Sequence, residues 1–368
     1  MAVIDSFLEF LIDSGASDLH LCSGTVPYVR MDGEIRKLNG TDELDNNAAR
    51  GIIEEIMPER NKKEFEDCCD TDFAYELPDI GRFRVNVFMD NNGIGTVIRQ
   101  IPVKILSADA LNLPQSIRDL CFLSKGLVVV TGPTGSGKST TLAAMIDLIN
   151  EERTDHIITI EDPVEFVHKN KNCLINHRQV HKHTQSFKRA LRAALREDPD
   201  IVLVGEMRDL ETVEIAIETA ETGHLVFGTL HTNTAPSTVD RIIDQFPADR
   251  QDQIRTMLSS SLKGVVAQTL LKKKSGGRIA ALEVLVVTSG VANIIREGKT
   301  HQIPSMMETG KKYGMQTMNE SLFELAENGT VTLEEAHFNA VDKAGFDNLL
   351  KTHGLEPEPE EELELVDA

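Results

Sequence analysis

The sequence predicts an α/β protein in which a small α+β domain precedes a larger domain built on a parallel sheet. Residues 82–90 (RFRVNVFMD) alternate polar and apolar side chains, the period of a half-buried strand, among other short strands and turns. From residue 126 the pattern changes to short apolar strands separated by helical stretches: GLVVVTG, IITI (157–160), IVLV (201–204) and HLVFGTL (224–230). Strands that alternate with helices form parallel sheets covered on both faces. The first of these strands also runs directly into a glycine-rich loop and a helix, the setting of a phosphate-binding motif.

In chain order, Ile4, Phe7, Leu8, Leu11 and Ile12 fall at i, i+3, i+4, i+7 and i+8, one face of a helix. SDLHL (17–21), VPYVRMDGEIRKL (26–38) and DTDFAYEL (70–77) read as strands and turns, with Asp32-Gly33 as a tight turn. Asn92-Gly93 reads as a hairpin turn leading into TVIRQI (96–101). Residues 1–102 are therefore expected to form the first domain, with 103–117 (VKILSADALNLPQSI), broken by Pro114, as linker. The second domain is expected over 118–353. It has helices after the glycine-rich loop, around 184–197 and between IVLV and HLVFGTL. Residues 253–270 and 288–353 read mainly as helices, and Thr332 with Glu335 has the spacing of a capping box. The stretch 354–368 ends in EPEPEEELELVDA, which reads as a solvated, disordered acidic tail or as a docking peptide.

Size and charge limit the functions open to the chain. Its 368 residues suggest two or three domains at roughly 100–200 residues each. Net charge is −21, from 38 basic and 59 acidic residues, so neither nucleic acid nor an anionic membrane surface is the expected partner. No apolar run approaches the roughly 18 residues of a membrane-spanning helix, and the N-terminus lacks the basic start of a signal peptide. The five cysteines form no C-x-x-C pair. Reduced thiols in a cytoplasmic protein are the expectation.

GPTGSGKST (132–140) fits G-x-x-x-x-G-K-[ST]. Gly132, Pro133, Thr134, Gly135, Ser136 and Gly137 form the loop, whose backbone N–H groups can converge on one phosphate. Lys138, Ser139 and Thr140 open the helix, whose N-terminus adds positive potential. Lys138 can reach the β- and γ-phosphates of ATP, and the Ser139 hydroxyl can hold Mg²⁺.

Hydrolysis then needs carboxylates near the loop. IVLVGE (201–206) is a strand with Gly205 where the usual pattern places Asp, followed by Glu206. Glu206 can hold the metal shell or activate water. TIEDPVEF (159–166) places Glu161, Asp162 and Glu165 after the preceding strand, and Pro163 turns the chain. These acids can activate water or cap nearby helices. His224 and His231 bracket the last strand, where a histidine can sense the γ-phosphate or bridge to a neighbouring subunit.

GPTGSGKSTTLAAMI, TIEDPVEF, REDPDIVLVGEMRDLET and AETGHLVFGTLHT, in this order, resemble the Walker A, Asp box, Walker B and His box of the secretion ATPase superfamily. Within it the chain is similar to the type IV pilus retraction ATPases, the PilT and PilU group, from SDLHL to about residue 353. GRFRVN, ADRQDQIRTMLSSSL and KYGMQTMNESL also resemble that family. The resemblance implies a PAS-like first domain, a RecA-like second domain with C-terminal helices, and a homo-hexameric ring that hydrolyses ATP with Mg²⁺ to power pilus retraction and twitching motility. ATP would lie between one subunit's second domain and its neighbour's first. Arg82, Arg84 and Arg99 would carry positive charge across that interface. Glu206 and Glu161 match the family's Walker B and Asp-box glutamates. The motor would act on an inner-membrane platform protein at the cytoplasmic face, without entering the membrane.

An accessory, PilU-type subunit bound to a principal retraction ATPase is the alternative, and the acidic tail is similar to that group. The assembly ATPases of the superfamily have a longer N-terminal region and usually a four-cysteine zinc motif; this chain has neither, which points to retraction. It departs from the family in two places. Val291-Ala292 opens VANIIREGK where Ala-Ile-Arg is usual, and Gln179 and His183 replace two carboxylates in NHRQVHKHTQSF (176–187).

Overall fold

The computed structural model describes residues 2–31, 34–78, 80–101 and 104–355. The expected turn at Asp32-Gly33, the start of the expected linker and the acidic stretch 356–368 lie outside the described residues. The chain divides into two compact units: residues up to Ile105 with Pro163–Val167, and Leu106–Asp162 with the chain from His168 onward.

The first unit runs α1 (Val3–Asp13), β1 (Asp18–Cys22), β2 (Tyr28–Met31), β3 (Glu34–Lys37), α2 (Asn46–Ile56), α3 (Glu59–Cys68), β4 (Asp70–Leu77), β5 (Gly81–Asp90) and β6 (Gly93–Ile101). Among the described residues its sheet has six strands in the order β3-β2-β1-β6-β5-β4, all antiparallel. The apolar stripe of α1 is real: Ile4, Leu8 and Leu11 pack with Leu19, Leu21, Phe83, Val85, Val87 and Ile98 in one core. β5 alternates as its sequence requires, with Phe83, Val85 and Val87 inward and Arg82, Arg84 and Asn86 on the other face.

The hairpin is shifted from its expected position. Gly93 already pairs with Asp90, so Asn91-Asn92 form the turn and β6 begins three residues before Thr96. The Asp90 carboxylate accepts from the N–H groups of Asn92 and Gly93, which closes the turn. Two helices, α2 and α3, were not anticipated. α3 buries only Asn61 and Phe65, so its apolar period is almost silent.

The second unit continues with α4 (Gln115–Leu120), β7 (Gly126–Thr131), α5 (Lys138–Glu152), β8 (His156–Glu161), β9 (Leu174–Gln179) and α6 (Phe187–Ala194). β10 (Ile201–Val204), α7 (Leu210–Glu221), β11 (Leu225–Thr229), α8 (Ala235–Asp244), α9 (Gln251–Ser261), β12 (Leu262–Lys272) and β13 (Arg278–Val286) follow. The chain then forms α10 (Ser289–Arg296), α11 (Ile303–Thr309), α12 (Met318–Glu327), α13 (Leu333–Asn339) and α14 (Lys343–His353). Among the described residues the sheet order is β13-β12-β7-β11-β10-β8-β9. All neighbours pair in parallel except β13, an antiparallel edge strand. β7, β10 and β11 are buried along their whole length, as continuous apolar runs in a two-sided sheet require.

The expected helix over 253–270 is corrected. It stops at Ser261, and 262–272 is β12, between β7 and β13. GVVAQTLL is a short apolar run whose composition suits either state. Pairing on both sides decides for strand. Thr332 caps α13 by accepting from Glu335 N–H at 3.1 Å, but the Glu335 carboxylate accepts from Lys272 N–H instead of closing the reciprocal box.

Glu283 on β13 is 7 % exposed and accepts from Ala235 N–H (2.6 Å) and Met318 N–H (3.3 Å), the first residues of α8 and α12. Burial raises the pKa of its carboxyl, and the two N–H donors oppose that rise. Glu283→Ala leaves two helix N-termini without an acceptor. It should destabilise the chain by about 2–4 kcal/mol in urea denaturation, with Glu283→Gln costing less.

Candidate nucleotide site

β7 delivers the chain to the glycine loop, and α5 starts at Lys138. Gly132 (φ +142°), Gly135 (φ +79°) and Gly137 (φ +88°) all occupy backbone conformations that side chains resist. A Cβ on Gly132 would overlap the main-chain oxygen of Gln268, and one on Gly137 would lie 2.8 Å from the Gln268 side-chain nitrogen. The loop is thus seated against β12. Gly132→Ala should weaken nucleotide binding at least about ten-fold in a direct titration, because the loop must shift to admit the methyl group.

Lys138 is buried, and its ammonium donates to the carbonyls of Gly132 (2.8 Å) and Pro133 (3.0 Å). Ser136 is 3 % exposed, and its hydroxyl has no hydrogen-bond partner among the described residues. Pro133, Thr134 and Gly135 are exposed at the loop tip, and Ser139 and Thr140 are half-buried in the first turn of α5. A buried hydroxyl with no partner, an ammonium resting on carbonyls and a helix N-terminus together fit an incoming phosphate.

Sheet order supplies the rest. β11 lies between β7 and β10, and β10 lies between β11 and β8. The C-terminal ends of these parallel strands therefore present the phosphate loop, His231, Glu206 and Glu161 side by side. A Cβ on Gly205 would sit 3.2 Å from Glu161 Cα, so the Walker B and Asp-box strand tips are in close approach.

Glu206 Oε1 accepts from His231 Nε2 at 2.8 Å and also pairs with the Arg208 guanidinium. Glu206 Oε2 makes no hydrogen bond among the described residues. The bond to Glu206 raises the Arg208 pKa, with a smaller electrostatic contribution from Asp162. Arg208 was not anticipated, although it stands two residues after Glu206 in the same loop. Also unanticipated is a hydroxyl chain: Thr131 Oγ1 meets Thr232 Oγ1 (2.8 Å), and Thr232 Oγ1 meets Thr238 Oγ1 (2.7 Å). It ties the residue after His231 to the strand that enters the phosphate loop.

His224 is not brought to this site. It stands at the opposite end of β11, about 17 Å of strand away, where its ring nitrogen meets the Thr219 carbonyl at 3.1 Å. Asp162 lies 3.8 Å from His181, and Glu165 falls in the segment that groups with the first unit.

In the first unit, Arg84 and Arg99 are directly opposite on β5 and β6, with Arg82 two residues along on the same face. Arg99 donates to Asp18 at 2.7 Å, Arg84 lies 3.6 Å from Asp72, and Arg82 lies 4.0 Å from Glu76. The side chains of Arg84 and Arg99 remain 52 % and 64 % exposed.

The two departures have local roles. His183 Nδ1 accepts from Gln179 N–H at 3.0 Å, and Gln179 carbonyl accepts from His183 N–H at 2.8 Å, so these residues close a tight turn after β9. Val291 is fully buried in α10, whose first turn is capped by Thr288.

Residues 2–338 match the Type II/IV secretion system protein family. The chain is 50 % identical over 337 residues to the type IV pilus retraction ATPase PilT of Pseudomonas aeruginosa, covering 92 % of this chain and 98 % of that one. It is 39 % identical over 333 residues to the type IV pilus ATPase PilU of the same organism, covering 90 % and 87 % respectively. The crystal structure of the pilus retraction motor PilT with bound ADP superposes with a TM-score of 0.87 at 44 % identity, covering 95 % of this chain and 99 % of that one.

Proposed function

The chain belongs to the Type II/IV secretion system protein family, and from that premise we propose that it is the ATP-hydrolysing motor that retracts a type IV pilus. The observation that carries this reading is the row of strand tips that sets the Lys138 loop, His231, Glu206 and Glu161 beside one another. Higher identity to PilT than to PilU favours the principal motor over an accessory subunit.

The loop takes the phosphates of ATP. Lys138 leaves the Gly132 and Pro133 carbonyls for the phosphate oxygens, and the Ser136 hydroxyl gains its missing partner. Ser139 and the carboxylates at the strand tips would hold Mg²⁺, whose charge draws electrons from the γ-phosphate. Glu206 is the general base. His231 and Arg208 hold Oε1, which leaves Oε2 to take the proton of the attacking water. Glu161 helps to order the metal shell. His231 reports loss of the γ-phosphate through its bond to Glu206, and the Thr131–Thr232–Thr238 hydroxyls carry that change into α8.

Six copies form a ring in which Arg82, Arg84 and Arg99 of one subunit face the ATP of its neighbour. Closure neutralises the charge that develops during phosphoryl transfer. His224 contributes at the subunit contact rather than at the phosphate. The ring sits on the cytoplasmic side and drives an inner-membrane platform protein. Among the described residues no helix is long and apolar enough to cross a membrane.

Mixing two inactive variants tests the shared site. Arg99→Ala and Lys138→Ala subunits should each be nearly inactive alone. Mixed rings should regain hydrolysis at about a quarter of the sites, where an intact loop faces an intact arginine. No recovery from rings that do mix would contradict a site completed by the neighbour.

A further inference from the structure

We propose that Gln268 is a positioning residue of the ATP site, holding the phosphate loop in its nucleotide-accepting shape; this rests on the reading of that site given above. Gln268 lies on β12, 3 % exposed, and both ends of its amide are used. Its nitrogen donates to the Ser136 carbonyl at 2.6 Å, and its oxygen accepts from the Thr141 hydroxyl at 2.7 Å. Its main-chain oxygen is the atom that a Cβ on Gly132 would strike. One residue therefore supports the first residue of the loop, its last peptide and the opening turn of the following helix.

The consequence follows from the planarity of the peptide bond. In a trans peptide the carbonyl and the next N–H point in opposite directions. Tying the Ser136 carbonyl to Gln268 therefore turns the Gly137 N–H away from β12, to the side from which a phosphate approaches. The same bond engages the carbonyl rather than the hydroxyl of Ser136, so that hydroxyl stays available to a phosphate oxygen. The amide serves both at once, its nitrogen donating to the Ser136 carbonyl and its oxygen accepting from the Thr141 hydroxyl.

The test measures ATP affinity in the presence of Mg²⁺ by calorimetric titration of the full chain, alongside its melting temperature and the split between kcat and KM. The variants are Gln268→Met, Thr141→Val and the double substitution. Gln268→Met should bind ATP at least about ten-fold more weakly, with KM rising more than kcat falls. In the double variant Thr141→Val should add little, because the shared link is already broken. Gln268→Met binding within about two-fold of the parent, or fully additive losses, would overturn the proposal. If Gln268→Met does not fold, Gln268→Glu is read in its place. It keeps the acceptor for Thr141 and loses the donor to Ser136, so parental affinity in that variant would also overturn the proposal. A parent chain that binds no ATP would contradict the reading of the site itself, and Gln268's role with it.

Discussion

Glu206→Gln is expected to bind ATP within about two-fold of the parent and to lose turnover by about 10²–10⁴-fold, the range for removing a positioned general base. The substitution keeps the shape of the side chain, and a glutamine oxygen can still accept from His231. What disappears is the proton acceptor at Oε2 and the charge that holds Arg208. Glu206 follows β10, which β11 separates from β7, so the phosphate loop is untouched and binding survives. A single-turnover measurement isolates the step: ATP stays bound and unhydrolysed. If the variant turned over at the parental rate, Glu161, at the neighbouring strand tip, would be the base.

Lys138→Ala should act on the opposite side of the cycle. Affinity for ATP should fall at least about 100-fold, near 3 kcal/mol, because the only ammonium built into the loop is gone. Lys138 bonds the carbonyls of two loop residues, so its loss also loosens the loop before any ligand arrives. Equilibrium titration should therefore show weak binding even where hydrolysis cannot be measured. Binding retained at parental strength would mean that the loop amides and Ser136 carry the phosphate without the lysine.

The parts of the site that could be read in the sequence are those whose residues are contiguous or end a strand. The glycine loop is a single motif in which every residue has its own backbone or charge requirement, and it lies between β7 and α5. Glu206 and His231 could be read because apolar strands of known direction end beside them. His224 shows the limit of that argument: flanking a strand puts two residues at opposite ends of it, and only the C-terminal end of β11 lies beside the phosphate loop.

Gln268 was hidden because Ala, Gln and Leu favour helix as readily as a buried strand. Its contacts also join positions 132 residues apart, at Ser136, and 127 apart, at Thr141. Neither local propensity nor period carries such information. α3 was missed for the converse reason, since a helix that buries one aromatic ring and one amide has little apolar signal. Arg208 was within view in GEMRD, but pairing with Glu206 depends on how the loop folds back after β10.

Steady-state ATP hydrolysis by the purified full chain with Mg²⁺, beside Glu206→Gln and Lys138→Ala, is the most direct test of a working motor site. Turnover in the parent is expected, with a loss of at least about 100-fold in Glu206→Gln and near-complete loss in Lys138→Ala, ATP still bound by the first and bound weakly by the second. A folded, ring-forming parent without turnover would contradict the account and make the chain a subunit that depends on another ATPase.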